Sequence, residues 1–241
     1  MSVQNGFTLM NPNKKKAVFE RLKKRKSLAY YREGSFSSEI IWDDRKFLFP
    51  SNKKSFYSNM WIFRAVLREA KEYIADKRIR EKEPLPVNLW NPVLNISDCS
   101  ITATDVNHAY WRIAYLEGII SEKTYFKGLA IKDKSLKLAA LANLRSAKEY
   151  FIVENGIVTN KTKILRYDPI LHKLYDNIRY TCYEHMQRCA DILGDDFICY
   201  KTDCIYYIDT ANNRRAVQLY LDTAGFDFKQ LSKPKIKEIG Q

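Results

Sequence analysis

Polar and apolar positions alternate over Ile101–Val106 (ITATDV), which predicts a strand with Ile101, Ala103 and Val106 to one side, and the aromatic segment that follows, through Tyr115, reads as the start of a helix. A second β-rich pair, FICY and CIYYI, flanks the polar Lys201-Thr202-Asp203 and predicts a hairpin over Phe197–Ile208 with a carboxylate at its tip. Further hairpin patterns lie between residues 27 and 49, with turns near Glu33-Gly34 and Asp43-Asp44, and over 149–167, with its turn at Asn155-Gly156. Helical periodicity marks Val18, Phe19 and Leu22, a long amphipathic run from Ser58 or Asn59 to about Lys82, and Lys134 to Tyr150. It returns from Ile170 to Leu193, stopped by Gly194, and once more over NNRRAVQLYLDTAG after residue 211. In the long run at 60 the apolar side is read as Trp61, Ala65, Leu67 or Arg68, Tyr73 and Ile74. Ser121 reads as a helix cap, residues 1–13 as a loose lead-in, and the prolines at 84, 86 and 92 as a connector.

Strands and helices in this mixed order predict an α+β fold, an antiparallel sheet backed by helices, with an N-terminal α/β extension over 1–99 and the main domain over 100–241. The length of 241 residues allows a sizeable core. A formal net charge of +13 favours an anionic partner, nucleic acid above all. Between Lys14 and Lys26 eight Lys or Arg face one Glu, so Lys23, Lys24 and Arg25 could lie on phosphates, or simply form a solvated helix face. The five cysteines lack paired short spacings, which excludes a zinc-site pattern and fits a reducing compartment. With no apolar run of membrane-spanning length and no signal-peptide core, the expected location is a bacterial or phage-infected cytoplasm, with no membrane partner.

Asp105 ends its strand and Asp203 tips its hairpin. One Asp from each of two strands meeting at one sheet edge could hold a pair of divalent cations about 4 Å apart, as phosphoryl and nucleotidyl transfer require. Taken alone, either Asp is more simply a turn or capping residue.

The segment Asp105-Val106-Asn107-His108-Ala109-Tyr110 resembles the first polymerase motif of family B DNA polymerases, most of all their protein-primed phage branch; Asp105, Val106, Asn107 and Tyr110 match, while His108, Ala109 and Trp111 depart. Tyr200-Lys201-Thr202-Asp203-Cys204 is similar to the third motif, with Lys201 in place of its first Asp. The second motif has a weaker counterpart in the helix after Lys134, where Asn143 and Lys148 align and the triphosphate lysine falls at Ala139. The resemblance covers residues 100–230 and implies a polymerase palm in which Asp105, Asp203 and the Val106 carbonyl bind Mg²⁺ or Mn²⁺. It further implies deoxynucleotide contacts from Tyr110 and Asn143, with Lys137, Arg145 or Lys148 substituting at the triphosphate, and DNA contacts from Lys201, Thr202 and the tail residues Lys233 and Lys235. DNA, primed or single-stranded, and deoxynucleoside triphosphates are then the expected partners, with other replication proteins alongside. No Asp-x-Glu pair marks an editing exonuclease, and little chain remains for a thumb. Two rival readings stay open: a non-catalytic, palm-derived nucleic-acid-binding accessory protein, and a primase or terminal-transferase activity on the same scaffold.

Overall fold

The computed structural model describes residues 7–34, 37–50, 54–92, 99–145, 148–166 and 168–232. In chain order the first elements are β1 (Phe7–Leu9), α1 (Lys15–Arg25), β2 (Leu28–Glu33), β3 (Ser37–Trp42), β4 (Arg45–Pro50), α2 (Lys54–Asp76), β5 (Asn88–Trp90), β6 (Ile101–Val106), α3 (Ala109–Leu116) and α4 (Glu122–Leu129). There follow α5 (Lys134–Arg145), β7 (Lys148–Glu154), β8 (Ile157–Arg166), α6 (Pro169–Leu193), β9 (Phe197–Lys201), β10 (Cys204–Ile208), α7 (Ala211–Thr223) and β11 (Phe228–Ser232). The fold is α+β, two sheets backed by helices. It divides into two compact units, the first Met1–Ala65 with Ile131–His172, the second Val66–Ala130 with Lys173–Gln241.

The first unit holds a six-stranded sheet in the order β1-β4-β3-β2-β7-β8, antiparallel except where β1 runs parallel to β4. Its tight turns fall where the sequence supplies residues that tolerate positive φ: Asp43 (48°) and Asp44 (58°) join β3 to β4, and Asn155 (53°) and Gly156 (77°) join β7 to β8. On one face α1 lays Val18 and Leu22 over Ala29, Ile40, Trp42, Phe49 and Val153. On the other face a carboxylate is buried. Glu39 receives Lys46 at 2.8 Å, Lys148 at 3.0 Å and the Tyr150 hydroxyl at 2.6 Å. Burial alone would raise the Glu39 pKa, but Lys148 and Lys46, with hydrogen bonds from Lys46 and Tyr150, outweigh it and hold the carboxyl at about 2.

The second unit holds a five-stranded, wholly antiparallel sheet in the order β11-β6-β10-β9-β5. Since β10 and β11 both run antiparallel to β6, they are parallel to each other, and α7 is the crossover between them. One face is closed by a polar network, in which Thr104 and Gln230 both bond the Tyr207 hydroxyl, at 2.9 and 3.2 Å. The other face carries Asp105. Near α4, Glu69 of α2 accepts from the Ser121 amide at 2.8 Å and from Thr124 Oγ1 at 2.7 Å, while Ser121 Oγ caps the helix by accepting from the Thr124 amide.

Several sequence expectations need correcting. The units do not part at residue 99: β7 pairs back onto β2 and β8 onto β7, so a late stretch of chain joins the N-terminal sheet. Residues 7–9 form a strand within the expected loose lead-in. The helix expected from Lys134 to Tyr150 stops at Arg145, because Tyr150 is drawn into β7 and fully buried over Glu39. α2 starts at Lys54, before the expected cap, and ends at Asp76. Beyond it Asn177 of α6 binds the Arg80 carbonyl at 2.7 Å and the Lys82 amide at 3.2 Å, in a stretch that is no longer helical. The buried line of α2 is Ile62, Val66 and Ala70 rather than the residues beside them. Val106 shares the face of Thr104, opposite to Ile101 and Ala103, as a period of two requires.

Candidate functional site

The site is built by register. Lys229 of β11 stands opposite Asp105 of β6, Asp105 opposite Cys204 of β10, Cys204 opposite Lys201 of β9, and Lys201 opposite Asn88 of β5. Directly opposed residues of antiparallel strands point to the same face, so these residues form one row across the whole sheet. The β9–β10 turn extends one step beyond the row. There the Val106 amide donates to the Asp203 carbonyl at 2.9 Å, which sets the Asp203 backbone within about 5 Å of the residue next to Asp105. Thr202 takes a positive φ of 56°, unusual for a β-branched residue, and its amide donates to the Val87 carbonyl at 2.9 Å. The turn is thus pinned from both sides.

Electrostatics follow from this placement. Lys229 Nζ lies 2.8 Å from Asp105 Oδ2, with side-chain exposures of 49% and 25%. The hydrogen bond to Asp105, then its charge and at longer range that of Asp203, raise the Lys229 pKa. Burial pushes the Cys204 thiol up to about 12, helped by the charges of Asp105 and Asp203, and burial raises Cys182 and Cys199 likewise. These thiols stay protonated near neutrality, which removes them as nucleophiles. All five cysteines are free.

The sequence-derived candidates distribute over both units. Asp105, Val106, Asp203, Lys201 and Thr202 gather at this one sheet end. Tyr110, on α3 of the same unit, is half-buried; its hydroxyl meets that of Tyr183 at 3.0 Å, and burial with that bond raises its pKa. Lys137, Asn143 and Lys148 belong to the first unit. There Lys137 is buried with its ammonium on the Ile131 carbonyl at 3.2 Å, and Lys148 is the partner of Glu39. Lys23, Lys24 and Arg25 form the exposed last turn of α1, while Lys233 and Lys235 lie outside the described residues. The sequence reading missed Lys229 as the partner of Asp105 and missed β5 with Asn88 and Trp90. The alternation in FKQLS was the available signal for the first; a three-residue strand among prolines gives almost none for the second.

The two carboxylates and the Val106 carbonyl are hard oxygen donors of the type Mg²⁺ and Mn²⁺ take. The Lys229 pair is of the exposed class, worth about 0–1 kcal/mol, so Asp105 could exchange it for a divalent ion. The donor set fits. Among the described residues no group of three or more His, Cys, Asp or Glu is arranged to hold a metal, so an ion here would complete its shell with water and substrate oxygens. Among the described residues, too, no helix is long and apolar enough to cross a membrane. No family model matches the chain, and no curated protein or solved structure matches it.

Proposed function

We propose that the second unit carries a DNA polymerase-like nucleotidyltransferase site, with Asp105 and Asp203 as its acidic pair. The observation that supports this reading is the hydrogen bond from the Val106 amide to the Asp203 carbonyl, which joins the ends of two segments distant in sequence at one edge of one sheet. Asp105, Asp203 and the Val106 carbonyl would hold Mg²⁺ or Mn²⁺; when bound, the ions supply activation of a primer 3′-hydroxyl and charge neutralisation at the leaving pyrophosphate. The chain's own contributions are local. Lys229 neutralises Asp105 until an ion takes its place, and its exposed side chain is long enough to turn toward an incoming phosphate. Lys201, in the same row, offers a cation to a nucleic-acid backbone. Tyr110 presents a ring from α3, its hydroxyl tied to Tyr183.

The second reading, a non-catalytic nucleic-acid-binding protein, is favoured by the same row, in which two lysines, Lys229 and Lys201, accompany the single acid Asp105. Primer extension on a primed template with Mg²⁺ or Mn²⁺ separates the two. Wild-type protein is expected to extend, and Asp105→Ala and Asp203→Ala to lose activity by at least about a hundred-fold, the scale of a transition-state contact of some 3 kcal/mol. No extension by wild type, or equal extension by Asp203→Ala, contradicts the proposal and leaves the binding reading.

A further inference from the structure

The face that carries Asp105 also carries an indole. Trp90 stands opposite Cys199, so it lies on that face one row in from Lys201 and Asp105. It is 39% exposed, whereas Trp42 and Trp111 are buried. Lys201 Nζ sits 5.4 Å from the centre of the Trp90 ring. Asn88, exposed on the same edge strand, adds an amide in line with Lys201.

A single exposed apolar side chain is ordinary on a protein surface. This one is distinguished by what surrounds it: an ammonium over the ring, an edge strand that leaves the ring accessible, and a row of charges leading to the two acids. A cation over an exposed indole is held by about 0.5–1 kcal/mol, so Lys201 can leave the ring for a phosphate at little cost. The freed π-face then takes a nucleobase, a contact that every base can make and that needs the base to be unpaired and unstacked on one side. The formal net charge of +13 selects a polyanion over a neutral aromatic ligand.

We propose that Trp90 and Lys201 form a stacking platform for one base and its phosphate in a single-stranded nucleic acid, guiding the strand along the row toward Asp105 and Asp203. The inference deepens the reading of this sheet end as a nucleic-acid site, yet it requires no metal and no chemistry, so the two can fail separately. Fluorescence anisotropy of labelled oligo-dT, oligo-U and a duplex, with the full chain in EDTA, tests it. The wild type is expected to bind the single strands, oligo-dT and oligo-U alike, in preference to duplex. Trp90→Ala should weaken binding about ten-fold. Trp90→Phe should keep binding within about three-fold, since a phenyl ring still stacks, but abolish the quenching of tryptophan emission that oligo-dT causes in the wild type. The proposal is overturned if Trp90→Ala binds undiminished, if quenching persists in Trp90→Phe, or if duplex is preferred. Should Trp90→Ala fail to fold, the Trp90→Phe quenching result decides. Trp90-dependent binding without any primer extension would remove the enzyme and leave the platform.

Discussion

Glu39 shows what one residue does to this molecule. A carboxylate with 7% of its side chain exposed is kept charged by Lys46 and Lys148, and its pKa falls from 4.5 to about 2. A depressed carboxylate pKa contributes stability that is fully present above the unfolded value and is lost as pH drops through the folded one. The first unit is therefore predicted to lose about 3 kcal/mol between pH 4.5 and 2 through this group alone. Denaturant unfolding across that window measures it, and Glu39→Gln should flatten the acid limb while destabilising the protein at neutral pH by a similar amount, because two lysines then lose their buried counter-ion. An unchanged acid limb in Glu39→Gln contradicts the assignment. At this scale the strand that ends at Asp105 and the hairpin that carries Asp203 were legible, being local features of the sequence. It was silent about Glu39 and Lys229, whose roles arise only when distant strands pair.

Among elements, the hairpins were the most legible. Asp-Asp, Asn-Gly and the polar tip at 201–203 are local instructions for a reversal, and all three reversals occur where the residues demand them. Helix ends were less legible, since Ser146-Ala147-Lys148-Glu149 contains no breaker and pairing with β2 overrides a sequence that would continue as helix. The β7–β8 turn also packs tightly on α1: a Cβ at Gly156 would stand 2.7 Å from the Phe19 carbonyl oxygen and 2.9 Å from Lys23 Cβ. Gly156→Ala combines that clash with a positive φ and is predicted to cost about 2–3 kcal/mol. Gly118 has a comparable φ of 73° but open space around its missing Cβ, so Gly118→Ala should cost only about 1 kcal/mol. Equal losses for the two in a denaturant titration would contradict the packing of this hairpin on α1.

For the whole molecule, the α+β class could be read from the mixture of periods, whereas the interleaving of two units could not. A linear reading places boundaries at proline-rich connectors, but the chain enters the second unit within α2, returns to the first before α5 and leaves it again at the start of α6. Nothing in local composition marks those crossings, because each is decided by which sheet edge a later strand joins. The same logic governs the site. Its acids come from β6 and from the β9–β10 turn, its cations from β9 and from β11 beside β6, and only the ladder register gathers them.

The most direct test of the two-acid site is Mn²⁺ binding followed by electron paramagnetic resonance on the full chain. The account predicts a bound ion whose affinity falls about ten-fold or more in both Asp105→Asn and Asp203→Asn, and rises in Lys229→Met, which frees Asp105 from its ammonium. Binding that ignores both substitutions, or that weakens when Lys229 is removed, would contradict a shared cation at this end of the sheet.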